Sequence, residues 1–419
     1  MVQHGTLKTE RTTLNLVVPI ATGQKRGKSK LDGPISVQLG QKLVCVKSLA
    51  SLLAIENSWR ELEDKNIISP HVFVSFDWIR AWAENYLSEH TAHDLRIYTG
   101  YNHGELVFIL PLVITKHRGL KTLQWITEPI GQYGDALCAR GENAADWLHI
   151  TFAQIKSTGE AQIIRLRHIR KDAIIEPYAN QQMVDAKYHE RAPVLDLTVF
   201  KTEADYDARY TSVQRKRRKK IRKHLEDMGP VTFRQLPVGP DQDDAIDIAI
   251  REKNLWLGER GRVNRVMGCA RHLSFLKTLS RANSKTMNMV STALTAGGRP
   301  VSWELGFRYR GTHFAYITSH VNALTDLSPG RLHMDLSQRA ALAAGQKAFD
   351  LMVPYDLHKE SWSSSTIAAN DYYVAFSLAG KIYGKLVLQT LRPLVRSVYY
   401  KMPAGVLRLL QSCCAVLKR

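Results

Sequence analysis

Residues 327–332 read LSPGRL, and they are followed by a helical pattern over 331–344, a glycine at Gly345 and a strand-like run over 347–352 containing Phe349-Asp350-Leu351. Serine supplies a cap hydroxyl for a helix N-terminus, proline suits the first helical turn, and glycine leaves the backbone bare for a close approach. The helix dipole and Arg331 add positive potential at the same point. Two readings stand: a capped helix after a loop, or a helix start that holds a pyrophosphate on its unpaired N–H groups.

Working outward, the pattern upstream turns to period two. Strands are predicted over 287–294, 301–309 and 312–318, with turns at Gly297-Gly298 and Arg310-Gly311. Before them come a strand at 194–197, a long polar helix over 203–228 stopped by Gly229-Pro230, a strand at 231–235 and helices at 241–256 and 271–281. The first part of the chain repeats this order. A helical pattern over 46–62 and a helix at 76–86 precede strands at 95–100, 104–114 and 120–127, then a helix at 144–157 and a strand at 162–166. Helices, an antiparallel meander, a helix and a strand in each half predict an α/β (α+β) chain of two similar domains.

The series Leu327 to Leu332, Gly345, Phe349-Asp350-Leu351, His358-Lys359 and Trp362 resembles the C-terminal signature of the acetyltransferases related to the cellulose-biosynthesis protein CelD. That family is a branch of the GNAT superfamily, with tandem GNAT-like domains similar to those of the FemAB peptidyltransferases. Trp59, the 76–82 helix, the strand ending in Leu112, Tyr133-Gly134-Asp135 and the basic helix before Gly229 extend the resemblance over about residues 50–365. Two positions depart from it: Pro354 stands where the family often has glycine, and His358 replaces the usual tyrosine before Lys359.

The resemblance implies two tandem GNAT-like (acyl-CoA N-acyltransferase) domains, each a mixed, mostly antiparallel sheet flanked by helices. With the composition, it divides the chain into a basic flexible arm (1–35), an N-terminal domain (36–192), a C-terminal domain (193–372) that includes the basic helix, and a basic amphipathic helical tail (373–419). The implied chemistry is acyl transfer from acetyl-CoA or another acyl-CoA, without a metal.

The charge supports a division of this kind. The net charge is +19, yet it is concentrated: residues 1–31 carry net +5, the run RKRRKKIRK at 215–223 carries +8 with no acid, and everything after Asp371 carries +8 with no acid, leaving a body near −2. A surface basic all over, as in nucleic-acid coat proteins, is disfavoured. Five scattered cysteines (Cys45, Cys138, Cys269, Cys413, Cys414) without CxxC spacing support neither a disulfide framework nor a zinc site. No secretory signal or spanning segment is read from the chain, so a cytoplasmic setting is expected; for the tail, peripheral contact with the inner membrane and packing onto the body as core-covering helices both stay open.

Acyl transfer needs a base for the acceptor's proton, donors for the oxyanion and an acid for the leaving thiolate. Glu304, Asp350, Tyr355 and Lys359 are the candidate catalytic residues, although strand alternation also reads Glu304 as exposed and Asp350 as a buried structural group. Ser328, Pro329, Gly330, Arg331 and Leu332 are the expected coenzyme-binding residues. Tyr133, Asp135, Arg215, Arg218, Arg222, Asp326, His358 and Trp362 are expected to contact the acceptor. For the 215–223 run, a solvated helix face, a site for a phosphate-bearing acceptor and nucleic-acid binding all remain open. The resemblance implies N- or O-acetylation of a sugar or lipid-linked intermediate of a bacterial cell-surface polysaccharide. A non-catalytic GNAT-like scaffold that binds anionic membrane or nucleic acid is the alternative.

Overall fold

The computed structural model describes residues 40–66, 71–87, 93–117, 119–262, 266–282, 284–402 and 405–406. The expected basic arm at 1–35 and the last part of the tail lie outside the described residues.

The first half runs β1 (Gln41–Val46), α1 (Leu49–Ala54), α2 (Glu56–Asn66), α3 (Phe76–Tyr86), β2 (His93–Asn102), β3 (Glu105–His117), β4 (Leu120–Trp125), β5 (Leu137–Cys138), α4 (Ala144–Thr158), β6 (Ile163–Arg170), α5 (Glu176–Gln182) and β7 (Val184–Asp196). The second half runs α6 (Glu203–Ala208), α7 (Ser212–Glu226), β8 (Val231–Gln235), α8 (Pro240–Glu259), α9 (Ala270–Arg281), β9 (Met287–Ala296), β10 (Arg299–Tyr309), β11 (Thr312–His320), α10 (Pro329–Ala343), β12 (Ala348–Asp350), α11 (Leu357–Glu360) and β13 (Ser365–Ala375). A helical rod closes the described chain: α12 (Leu378–Ile382), a π-helical stretch Tyr383–Leu391 and α13 (Arg392–Lys401).

Local chemistry sets several of these boundaries. Ser75 caps α3 by accepting from the Trp78 N–H at 3.3 Å, and Gly159 ends α4 in the left-handed conformation at φ 62°. The single polar helix expected over 203–228 is two helices. Thr202 with Asp205 and Thr211 with Gln214 each form a capping box, so the chain restarts its helix at Ser212.

All thirteen described strands belong to one continuous sheet, in the order β1-β2-β3-β4-β6-β13-β7-β12-β11-β10-β9-β8, with the short β5 paired to β3 off this path. Each half builds an antiparallel run and then a parallel crossover: β4 to β6 by way of α4, and β11 to β12 by way of α10. The closing strands are exchanged. β7 of the first half pairs with β12 of the second, while β13 of the second pairs with β6 of the first, and β7 and β13 pair with each other at the centre.

The aromatic core ignores the boundary between halves as well. Trp78 of α3 makes edge contacts with Phe275 and Phe307 at 5.1 Å and with Tyr316 at 5.6 Å. Residues 35–419 accordingly form one compact unit. The exposure expected for Glu304 is not observed, because β10 is covered on both faces. Trp303, Leu305 and Phe307 join the core beneath α8 and α9, while Glu304, on the opposite face under α10, is fully buried.

Candidate active site

Both parallel pairs in the sheet are short, and the strands part beyond them. The β11–β12 pairing stops at Phe314 with Asp350, whereas β11 continues to His320. The β4–β6 pairing stops at Leu123 with Ile164. In the first half the Trp125 indole bridges this opening, donating from Nε1 to the Arg167 carbonyl at 2.9 Å. In the second half the open edge of β11 leads into the 3-10 turn Asn322–Leu327 and the start of α10.

The sequence motif at that start folds partly as expected. Pro329 occupies the first helical turn, but Ser328 sits in the left-handed region at φ 55° and its side chain caps nothing, so the expected cap hydroxyl is a correction. Its carbonyl instead accepts from the Arg331 N–H at 3.0 Å. A Cβ built on Gly330 would meet only His320 Nδ1, at 3.6 Å, so the helix start is not blocked there by side chains.

Arg331 and Leu332 line a cavity of about 410 Å³ between α7, α10 and α11. One face of α7 supplies Gln214, Arg217, Arg218 and Ile221, the i, i+3, i+4, i+7 positions of a helix. Leu357, His358, Ser361 and Trp362 close the other side. Three guanidiniums therefore face one space. Burial first, then the charges of Arg217 and Arg218, pull Arg331 below its ordinary pKa. Asp335 offsets part of this charge by pairing with Arg218, but it is shared with Arg339 at 3.1 Å. The Arg218 guanidinium also lies 3.3 Å over the Tyr210 ring and 4.4 Å over that of Trp362. Cation–π contacts of this kind fix the guanidinium while leaving its charge uncancelled. His358 has its pKa lowered by burial and then by the Arg331 charge, which leaves the imidazole neutral at pH 7.

Other expected residues are placed elsewhere. Glu304 accepts from the ring of His313 at 2.7 Å; burial alone would raise its carboxyl, but that hydrogen bond and the His313 charge hold it below the usual range. It lies under α10 and is not part of the cavity lining. Asp350 and Tyr133 meet from opposite halves, with the Tyr133 hydroxyl donating to Oδ1 at 2.9 Å, the Met352 N–H donating at 2.7 Å and Arg170 holding Oδ2. With both oxygens engaged at 1% exposure, Asp350 is an anchor rather than a free base. Asp135 is occupied in the same way, by the N–H groups of Ala136, Ile174 and Ile175 at 2.9, 3.1 and 3.2 Å.

Of the basic run, Arg215 turns back to the Tyr210 carbonyl and Arg222 pairs with Glu226 at 2.9 Å on the surface. Neither lines the cavity, so the run divides into two cavity-facing arginines and a solvated remainder. Asp326 is exposed on the 3-10 turn. The Tyr355 hydroxyl donates to Glu360 at 2.5 Å beneath the Arg191 guanidinium. Lys359 ties down its loop by donating to the Met352 and Pro354 carbonyls at 2.9 and 3.0 Å.

Tyr210, Arg217 and Asp335 were not singled out by the sequence, nor was Lys253, whose pKa burial and then the Lys359 charge lower to about 8. The four-residue face on α7 was a legible signal for Arg217. Among the described residues, no group of three His, Cys, Asp or Glu side chains is placed to hold a metal.

Residues 212–360, which supply most of the cavity lining and both parting strands of the second half, match the family model for an acetyltransferase (GNAT) domain. No curated protein matches. FemX is similar in structure, with a TM-score of 0.54 at 10% identity, covering 82% of this chain and 99% of that one. A tandem GNAT protein from the clavulanic acid biosynthesis pathway gives 0.45 at 8% identity, covering 80% and 99%. The C-terminal domain of a putative lysylphosphatidylglycerol synthetase from Agrobacterium fabrum gives 0.49 at 9%, covering 78% and 93%. The chain has a mixed α/β GNAT-type fold, and the matched segment presents its open strand edge and helix start together.

Proposed function

We propose that this protein is an acyl-CoA-dependent acyltransferase whose active site lies in the second half, around the start of α10. The observation that carries the reading is Arg331: it begins α10, lines the cavity with Arg217 and Arg218, and lies within the matched GNAT domain. A pyrophosphate at this point would meet the Gly330 N–H, the positive end of the helix dipole and guanidinium charge together. The first half has its equivalent opening bridged by Trp125.

The chemistry of the lining fits the co-substrate. The Gly330 N–H and the Arg331 side chain would hold its phosphates, since Pro329 has no N–H and that of Arg331 is spent on the Ser328 carbonyl, and the open edge of β11 offers backbone donors to a carbonyl oxygen that becomes an oxyanion. The bound thioester supplies an activated acyl carbon. His358, neutral at pH 7 and on the cavity wall, takes the proton of the acceptor amine or hydroxyl as the new bond to the acyl carbon forms and the carbon–sulfur bond breaks. The departing thiolate then receives a proton from solvent or from the histidine.

The acceptor is read as a phosphate-bearing sugar, nucleotide- or lipid-linked. The supporting features are Arg217 and Arg218 with the apolar and aromatic floor of Ile221, Leu332 and Trp362. Its assignment to a bacterial cell-surface polysaccharide rests on the resemblance to CelD-related acetyltransferases. Calorimetry with acetyl-CoA tests the co-substrate site: saturable binding lost in Arg331→Glu supports the reading, and no binding to the native protein removes it. Thiol release with phosphorylated amino sugars and their unphosphorylated counterparts then tests the acceptor class.

A further inference from the structure

The helical rod that ends the described chain is mounted with unusual regularity. Gly380, Gly384, Leu388, Arg392 and Arg396, spaced four apart, face the body. A Cβ on Gly380 would come to 2.2 Å from the Gln162 carbonyl oxygen, and one on Gly384 to 2.2 Å from the Tyr373 ring. Leu388 is buried among Ile163, Ala186 and Tyr373, Arg392 reaches Asp371 at 3.1 Å and Arg396 pairs with Glu190. In an α-helix, positions four apart drift by about 40° each time, so such a row would spiral off the body. The wider π-helical stretch Tyr383–Leu391 takes up that drift and keeps the row straight.

The same geometry lines up the opposite side. Leu378, Ile382, Leu386, Leu391, Leu394 and Val398 project outward and are 46–74% exposed. Lys381 and Lys385, both exposed, flank the first of them. The outer row is thus held in place by a seated helix, and solvent-exposed apolar rows of this size on soluble chains mark contact surfaces.

We infer that this outer face is a docking surface for an anionic lipid bilayer, with the rod lying in the headgroup plane. The charge decides among occupants. Residues 372–419 contain no Asp or Glu, and with Arg392 and Arg396 turned to the body it is the exposed Lys381 and Lys385 that border the outer row, so two copies brought face to face would meet like charge. An anionic surface gains from every cation, and Lys side chains lay their methylenes along the apolar row while keeping the ammonium at the headgroups. No described helix is long and apolar enough to cross a membrane. Lying on the surface is the mode this rod can adopt. The inference stands apart from the transferase reading, since it uses none of the residues around α10.

The test is cosedimentation of the full chain with phosphatidylcholine vesicles containing 30% phosphatidylglycerol, set beside pure phosphatidylcholine. Partitioning onto the anionic vesicles is expected, falling at least tenfold in the double variant Leu386→Glu, Leu394→Glu and about threefold to tenfold in Lys381→Glu, Lys385→Glu. Both pairs are exposed, so thermal unfolding should match the native chain and confirm that the fold is retained. Leu386→Trp gives a second readout, with a blue-shifted emission and quenching by brominated lipid. No partitioning, or equal partitioning of the Leu386/Leu394 variant, overturns the inference. So does a concentration-dependent dimer that the same variant abolishes in the absence of vesicle binding, because a second copy then owns the face.

Discussion

The Tyr133 hydroxyl donates to the Asp350 carboxylate at 2.9 Å, joining residues 217 positions apart and the two halves of the sheet. Arg170 completes the group by holding the second carboxylate oxygen while its guanidinium lies 4.8 Å over the Tyr133 ring. This trio fixes the point at which β11 and β12 part, and so the mouth of the strand opening that leads to α10.

Asp350→Ala should therefore cost stability before it costs chemistry. It removes the buried partner of Arg170, and breaking such a pair typically costs about 3–5 kcal/mol; the second carboxylate on Arg170, from Asp172 at 2.7 Å, puts the expectation at the low end. Tyr133→Phe removes one hydrogen bond and should cost about 1 kcal/mol. Urea unfolding measures both. An Asp350→Asn variant with native stability and no turnover would instead make Asp350 a base.

Two glycine substitutions should separate sharply. Gly330→Ala adds a methyl with a 3.6 Å neighbour inside a helix and should be neutral or stabilise by up to about 1 kcal/mol. Gly134→Ala places a Cβ 2.0 Å from the Trp125 indole and should destabilise strongly. Paired melting curves decide whether the first-half opening is filled as described.

Arg331→Ala should weaken acetyl-CoA binding by about 10- to 100-fold, the range of one lost charge-assisted hydrogen bond at about 1.5–3 kcal/mol. Arg222→Ala, which removes only a surface pair with Glu226, should leave binding within about twofold. Calorimetry on both variants at one ionic strength provides the comparison.

Two pH effects should run in the same direction from different causes. With His358 as base and its pKa lowered, kcat/KM should be flat at neutral pH and fall on an acid limb centred below 6.5, which His358→Gln removes. Stability should also fall with acid. His71 is held down to about 3, and His272 and His333 to about 4, chiefly by burial. Below pH 6.5 the unfolded chain binds protons that the folded chain does not, so their stabilisation is complete above 6.5 and declines toward each folded pKa. At pH 5.5 each contributes a loss on the order of 1 kcal/mol, and the unfolding midpoint should drop by several degrees from its value at pH 7. Thermal melts at the two pH values check it.

The residues that made the fold legible are those whose pattern is local. The β9–β11 meander, with positive φ at Gly297, Gly298, Arg310 and Gly311, and helices α3, α8 and α9 follow from period and turn chemistry to within three residues. Of β7 only the end was read, as the strand at 194–197, and β13 was not read at all, because VDAKYHERAPVLD and STIAANDYYVA are largely polar runs whose partners lie far away in sequence. Glu304 was read as exposed because alternation assumes one wet face, and β10 has none. At the site, Arg218, Arg331, Leu332, His358 and Trp362 were visible as separate motifs, and the cavity brings them together. Asp335 and Tyr210 carry no signal of their own, since their roles exist only where α7 crosses α10.

The exchange of β7 and β13 bears on what happens if the link between β7 and α6 is cut. The leading piece would carry a strand that fits only beside β12, and the trailing piece one that fits only between β6 and β7. Neither piece can hide all its edges alone, yet each carries what the other lacks. Co-expressed as two polypeptides severed near residue 199, they should recombine into a working whole, whereas either fragment by itself should aggregate.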